Sequence, residues 1–343
     1  MILDYVGRRA RLATALEGVD ALLVTNPLNV RYLTGLDSSN AAVLVRADGS
    51  ATLVTDSRYI EMTKGMDLEV IEDGDVAGRL AAAGVGIEAG HMTVAAYNRL
   101  VEGLIPTQGL VEGLRMVKDE QEIDLLRTAC AISDQAFAEI SVQIKAGMSE
   151  REVARVLEAR MVELGADKPA FDTIVASGEN GAIPHHSPTE RELRAGDLVT
   201  IDFGARYQGY HADMTRTLVL GPPADWQREI YDLVAAAQRA GREALVPGAE
   251  ARDIDTAARS MIAEAGYGDF FRHGLGHGVG LEIHEEPFLG PSRNGRLKDR
   301  VPITVEPGVY LPGRGGVRIE DTLVTRVGGP ELLTMTTKEL LVL

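Results

Sequence analysis

The chain has 343 residues, 45% hydrophobic and 25% charged, a balance that supports a globular protein of about two domains and excludes a disordered one. Fifty-one acidic against 35 basic residues leave a formal charge of −16, and such a surface repels phosphate backbones and anionic lipid, which argues against nucleic-acid and membrane roles. The single cysteine, Cys130, rules out an intrachain disulfide.

An amphipathic helix over 3–17, with Arg8, Arg9 and Arg11 among its apolar residues, stops at Gly18. It lacks the apolar run and cleavage site of a signal peptide, and no stretch approaches the ~20 apolar residues of a membrane span. The expectation is a cytoplasmic protein. Val19–Thr25 reads as an apolar strand. Ala41–Val45 and Thr52–Thr55 flank Asp48-Gly49, a strong short hairpin signal. Leu68–Ile71 and Val85–Glu88 add short strands between short helices, which together predict a compact α/β domain with a mixed sheet.

Lys118-Asp119-Glu120-Gln121-Glu122 opens a long helix whose apolar stripe runs through Ile123, Leu126, Cys130, Phe137, Ile140 and Ile144. Its acidic first turn suits the helix dipole. The domains are therefore expected at 1–116 and 117–343. The second contains a weak repeat. Gly147 to Gly165 and Gly248 to Gly266 have the same spacing, and Arg151/Arg252, Glu152/Asp253, Val153/Ile254 and Glu163/Glu264 match at an offset of 101 residues. Ser149 and Glu152 form a capping-box pattern at the start of the first copy. Two related halves with a site between them would fit this repeat.

The chemistry gathers in the same region. In Asp197–Gly204, alternation places Val199, Ile201 and Phe203 on one face and Thr200 and Asp202 on the other. After a turn at Gln208-Gly209, a return strand from Tyr210 to Val219 is expected to carry His211, Asp213, Thr215 and Thr217 on one face. Such a hairpin brings Asp202 beside Asp213, and paired carboxylates repel unless a cation or proton lies between them. His273-Gly-Leu-Gly-His277-Gly-Val-Gly-Leu-Glu-Ile-His284 packs three of the seven histidines into twelve residues. Glu306 and Glu320 each close an apolar strand, and Arg318 shares a face with Glu320. Four carboxylates and an imidazole make an oxygen-rich set suited to two divalent ions, Mn²⁺ or Co²⁺ with Zn²⁺ as a further option.

In order and spacing these segments resemble the pita-bread metallopeptidases, specifically prolidase and aminopeptidase P. The resemblance covers nearly the whole chain. Asn29-Val30-Arg31-Tyr32-Leu33-Thr34-Gly35 is similar to the signature of that family's creatinase/prolidase-like α/β N-terminal domain. Asp202 in IDFG, Asp213 in ADMTRT, His277 in HGLGHGVGLEIHE, Glu306 in VEPGVY and Glu320 in RIEDT fill its five metal-ligand positions. The resemblance implies an α+β pita-bread catalytic domain with two pseudo-symmetric halves. It further implies that His185, of the pair His185-His186, and His284 face the substrate carbonyl. His273 and Arg318 would lie near the substrate and the second metal, with Tyr210 counted among the substrate-side residues.

The activity so implied is hydrolysis of the Xaa-Pro bond, whose tertiary nitrogen and fixed ring demand a dedicated pocket. Water activated by two metals would attack the carbonyl, His185 and His284 would stabilise the oxyanion, and Glu306 would move the proton. Xaa-Pro dipeptidase is the leading expectation and an aminopeptidase for longer Xaa-Pro peptides the alternative. A loop at Asp37–Asn40 with Arg46 nearby could limit peptide length. A non-catalytic pita-bread protein would have eroded ligands, and creatinase works without metal, so five intact ligands argue against both. The resemblance also implies a homodimer.

Overall fold

A computed structural model describes residues 3–343; Met1 and Ile2, which precede the predicted helix, lie outside the described residues. The chain divides into two compact units, one ending at Arg115 and the other spanning Met116–Leu343.

In the first unit, α1 (Tyr5–Ala15) starts where the Asp4 carboxylate accepts the Gly7 N–H. Its arginines are not all on a solvent face. Arg8 and Arg9 are buried and donate to the carbonyls of Tyr32 and Leu33, at 3.2 and 2.9 Å, near the end of α2 (Pro27–Thr34). They satisfy carbonyls that a helix C-terminus leaves open. The strands are β1 (Ala21–Val24), β2 (Ala41–Arg46), β3 (Ala51–Thr55), β4 (Glu69–Glu72), β5 (Gly86–Glu88) and β6 (Ile105–Thr107). They form one sheet in the order β4-β3-β2-β1-β5-β6. The β1–β2 and β2–β3 pairs are antiparallel and the other three parallel, the mixed sheet expected from the sequence. The β2–β3 hairpin turns at Asp48-Gly49, where Gly49 has φ of 85°. Helices α3 (Val94–Tyr97) and α4 (Leu110–Arg115) complete this unit.

The second unit opens with α5 (Glu120–Ser141), whose N-terminus is a reciprocal capping box between Asp119 and Glu122. Then come α6 (Glu150–Glu163), β7 (Lys168–Pro169), β8 (Ile174–Ser177), β9 (Leu198–Phe203), β10 (Ala205–Tyr207), β11 (Tyr210–His211) and β12 (Met214–Val219). A second run follows with α7 (Asp225–Glu243), α8 (Ala251–Glu264), β13 (Gly276–Gly278), β14 (Glu285–Leu289) and β15 (Pro302–Val305). It ends with β16 (Gly308–Leu311), β17 (Gly315–Arg318), β18 (Asp321–Val324), β19 (Glu331–Leu332) and β20 (Leu341–Val342).

The two runs repeat one plan. Helices α6 and α8 each have 14 residues and begin 101 residues apart, at 150 and 251. Each is preceded by a lone bridge, Ser149 to Glu192 and Glu250 to Arg296. The sheets run β8-β9-β12-β20 and β14-β13-β15-β18-β19, so the trio β8, β9, β12 corresponds to β13, β15, β18. Each sheet packs its apolar face into a separate core, with Phe203 stacked on Phe137 at 5.3 Å in the first. Ser149 caps α6 by accepting the Glu152 N–H at 3.1 Å.

One sequence expectation needs correction. The return strand after Gln208-Gly209 is broken at Ala212-Asp213, with β11 in a small sheet and β12 in the main one. The corner is tight, since a Cβ on Gly204 would overlap the Ala212 carbonyl. His211 therefore does not continue the face of Asp213, and its Nδ1 lies 2.9 Å from the Gly280 carbonyl instead. Among the described residues no helix is long and apolar enough to cross a membrane.

Candidate metal centre

Equivalent hairpins of the two repeats deliver the carboxylates. Asp202 sits next to the end of β9 and Glu306 just past the end of β15. Asp213 immediately precedes β12 and Glu320 immediately precedes β18. The antiparallel registers set Asp202 opposite Thr215 and Val305 opposite Asp321, so each hairpin brings its two acids to one end. His277, on β13, has no equivalent in the first repeat, where β8 has Ala176 at the same offset of 101.

These side chains converge. Single donor atoms of Asp213, His277 and Glu320 all lie within 4.8 Å of one another. The His277 Nε2 is 3.4 Å from Asp213 and 3.5 Å from Glu306. Its Nδ1 lies 3.0 Å from the Gly278 carbonyl, which places the ring hydrogen there and leaves the Nε2 lone pair free for a cation. Asp202 is held at 2.7 Å by Arg318 through Oδ2, while its Oδ1 is buried without a hydrogen-bond partner. Thr215 Oγ1 donates to Glu320 at 2.7 Å.

Burial and mutual repulsion dominate the electrostatics. Loss of solvent, reinforced by Glu320, Asp202 and Glu306, holds Asp213 far above the usual carboxylate range. Glu320 is raised in the same way by burial and then by Glu306 and Asp202. Burial lifts Glu306 to about 8 against the opposing pull of Arg318. Burial also lowers His277 to about 4, so its imidazole is neutral at pH 7. A site that forces carboxylates to hold protons while keeping an imidazole neutral and aimed inward is a site short of positive charge. The orphaned Asp202 oxygen makes the same demand. The five residues fit a divalent cation centre.

The cluster lies in a cavity of about 600 Å³. His185, His273, His284, Tyr310 and Arg318 also line it, and the rim carries Phe288, Pro291 and Arg293. His277 and His284 meet edge to face at 4.4 Å. Burial, then the neighbouring His185, lowers the pKa of His284. Glu285, next to His284, pairs with the buried Lys118. His186 also lines the cavity, with its Nε2 2.8 Å from Glu150.

Residues 124–326 match the sequence pattern of metallopeptidase family M24, and residues 8–117 match the creatinase/prolidase N-terminal domain. The chain belongs to metallopeptidase family M24. A protein from Pyrococcus furiosus named Xaa-Pro dipeptidase is 39% identical over 334 residues, covering 95% of this chain and 96% of that one. Among solved structures, an Xaa-Pro dipeptidase from Bacillus anthracis has a TM-score of 0.95 at 38% identity, over 99% of this chain and all of that one. An X-Pro aminopeptidase from Thermotoga maritima has a TM-score of 0.90 at 36% identity, with the same coverage. The protein is thus a hydrolase with the pita-bread catalytic fold.

Of the expected substrate-side residues, His273 and Arg318 line this cavity, and Tyr210, Asp37 and Arg46 are not among its lining residues. Tyr210 does not line this cavity; it is buried and donates to Glu122 at 2.9 Å. Arg318 lines the cavity, but its donors are committed. Nε goes to Thr215, Nη1 to Tyr310 and the Pro184 carbonyl, and Nη2 to Asp202. Asp37 is paired with Arg31, and Arg46 donates to Thr52 and Ser50 across its own hairpin, all within the first unit. His273 does line the cavity. Its Nδ1 faces the Gly274 carbonyl, so its Nε2 accepts the Tyr310 hydroxyl at 2.9 Å. Tyr310, pushed up to about 12 by burial, was not legible as a site residue, since only its place in VEPGVY is visible in sequence. Arg293 was missed because it lies in an irregular segment with no motif.

Proposed function

We propose that this M24 peptidase hydrolyses the Xaa-Pro bond with two divalent ions held by Asp202, Asp213, His277, Glu306 and Glu320, and that it acts on dipeptides before longer chains. The observation that carries the dipeptidase reading is the rim cation. A dipeptidase must recognise the free carboxylate of proline, and the lining cations are Arg293 and Arg318. Arg318 is spent on Asp202 and Tyr310. Arg293 lies over the Phe288 ring at 5.0 Å and has no carboxylate partner among the described residues. Phe288 and Pro291 offer apolar surface for a proline ring beside it. Relatives named Xaa-Pro dipeptidase support the same substrate class.

Mn²⁺ is the proposed ion, with Co²⁺ or Zn²⁺ as alternatives, because hard oxygen donors dominate the set. When bound, such ions supply Lewis acidity and a nucleophilic water near neutral pH. The chain's own residues account for the rest. His185 and His284 donate N–H groups to the oxyanion that develops on the scissile carbonyl; His284 suits this because burial keeps it neutral. Glu306 takes the proton of the attacking water and returns it to the proline nitrogen, which as a tertiary amide has none of its own. His273 fixes Tyr310, and Tyr310 with Arg318 holds Asp202 in place. The protein is further proposed to work as a cytoplasmic homodimer in which the Asp37–Asn40 loop and Arg46 limit peptide length.

The deciding experiment compares turnover of Xaa-Pro dipeptides and Xaa-Pro-Xaa tripeptides by the Mn²⁺-loaded protein. Faster cleavage of dipeptides is expected. The opposite order would reassign the protein as an Xaa-Pro aminopeptidase.

A further inference from the structure

An acid in the first turn of a helix is favoured by the helix dipole and normally faces water. Glu150, the first residue of α6, is instead fully buried. Its Oε1 accepts from the Ser177 N–H and hydroxyl, both at 2.8 Å, and from Asn180 Nδ2 at 2.9 Å. Its Oε2 accepts from His186 Nε2 at 2.8 Å, the Thr189 N–H at 3.1 Å and the Thr189 hydroxyl at 2.7 Å. A carboxylate has about four lone-pair directions, so six donors saturate it. Burial alone would push this group up, yet the hydrogen bonds hold it at about 2.

All six donors come from one stretch, 177–189, which spans the end of β8 and the connection towards β9. His185 lies between the two groups of donors and makes no hydrogen bond among the described residues. Its place in the cavity is therefore set by the backbone that carries it. Two further contacts pin that backbone. Gly181 and Gly316 approach so closely that a Cβ on Gly316 would overlap the Gly181 carbonyl, and Arg318 donates to the Pro184 carbonyl at 3.3 Å. The second repeat has Ala251 at the position of Glu150, so the clamp belongs to this half alone.

We propose that Glu150 is a positioning residue for turnover, holding the 177–189 connection so that His185 meets the substrate carbonyl, with His186 as one of its anchors. This rests on the reading of His185 as an oxyanion donor. Losing the clamp displaces a group that acts in the transition state while leaving the metal ligands in place, so the cost falls on kcat.

The test uses the Mn²⁺-loaded enzyme with an Xaa-Pro dipeptide. Glu150→Gln keeps the shape but turns an NH₂ toward donors. It should lower kcat by roughly 10–100-fold, the scale for losing a supporting hydrogen-bond partner of a site residue, with KM and bound metal close to wild type. In a His185→Ala background the same substitution should change kcat by less than about 2-fold, because coupled residues are not additive. Should Glu150→Gln fail to fold, Thr189→Val removes a single hydroxyl donor and should lower kcat only when His185 is present. Equal losses in both backgrounds, or no loss in either, would overturn the proposal. An unchanged kcat for His185→Ala alone would overturn the reading of His185 and this proposal with it.

Discussion

Removing the metal should invert the usual dependence of stability on pH. In the metal-free protein, burial raises Glu306 to about 8, and Asp213 and Glu320 shift in the same direction. In the unfolded chain a glutamate loses its proton near 4.3. Between those values the native state binds more protons than the unfolded state, so stability falls as pH rises. His273 and His277, both lowered to about 4, act oppositely, because unfolded histidines take up protons below about 6.5. From about pH 6.5 to 8 the unfolded histidines lose the last of their protons, an opposing contribution that fades above pH 7, and the three raised carboxylates outweigh it. Each retained proton then costs about 1.4 kcal/mol per pH unit, or about 2 kcal/mol for Glu306 over this window. For a domain of this size that lowers Tm by roughly 4–8 °C. Calorimetry in chelator should record this fall, with Asp213 and Glu320 deepening it. With saturating Mn²⁺ the cation replaces the protons and the slope should flatten. Titration of Mn²⁺ at pH 7 in buffers of different ionisation enthalpy should register proton release. A metal-free Tm that stays level or rises from pH 6.5 to 8 would refute the reasoning.

Further expectations concern individual side chains. Asp213→Ala or Glu320→Ala should reduce both bound metal, measured by elemental analysis, and turnover, because each removes a charged ligand. His284→Ala should lower kcat by roughly 10²–10³-fold with metal retained, and the corresponding loss for His186→Ala should be much smaller than for His185→Ala. Arg293→Ala should raise KM for Xaa-Pro dipeptides several-fold with little change in kcat, the pattern of a lost ground-state contact. Shortening Asp37–Asn40 should raise tripeptide cleavage while dipeptide turnover holds.

What the sequence revealed, and what it hid, follow the range of the interactions involved. The 101-residue offset was visible because helix caps and terminal glycines are local, and α6 and α8 keep that offset at both ends. The ligand motifs were legible because each acid sits at or beside the end of a short apolar strand. Partners were not. Tyr210 finds Glu122 from 88 positions away, and Arg318 finds Asp202 from 116. Which way such a polar side chain turns is decided by strands that pack on it, and no spacing rule records that. The break at Ala212-Asp213 was hidden for a related reason. Alternation continues across it, while the bend comes from the backbone packing of Gly204 on Ala212. Glu150 carries no motif, because its six donors lie 27 to 39 residues downstream.

The correspondence between the two repeats also bears on how such a centre can arise. Asp202 and Asp213 stand on their hairpin as Glu306 and Glu320 stand on theirs, so one ancestral hairpin with two acids accounts for all four carboxylates. A half-length chain could assemble the same oxygen donors by pairing with a copy of itself, with no need of a finished duplicate. Only afterwards would fusion let the copies diverge, since a self-paired chain must change both sides at once. His277 opposite Ala176, and Glu150 opposite Ala251, are the kinds of difference that two identical copies could not hold.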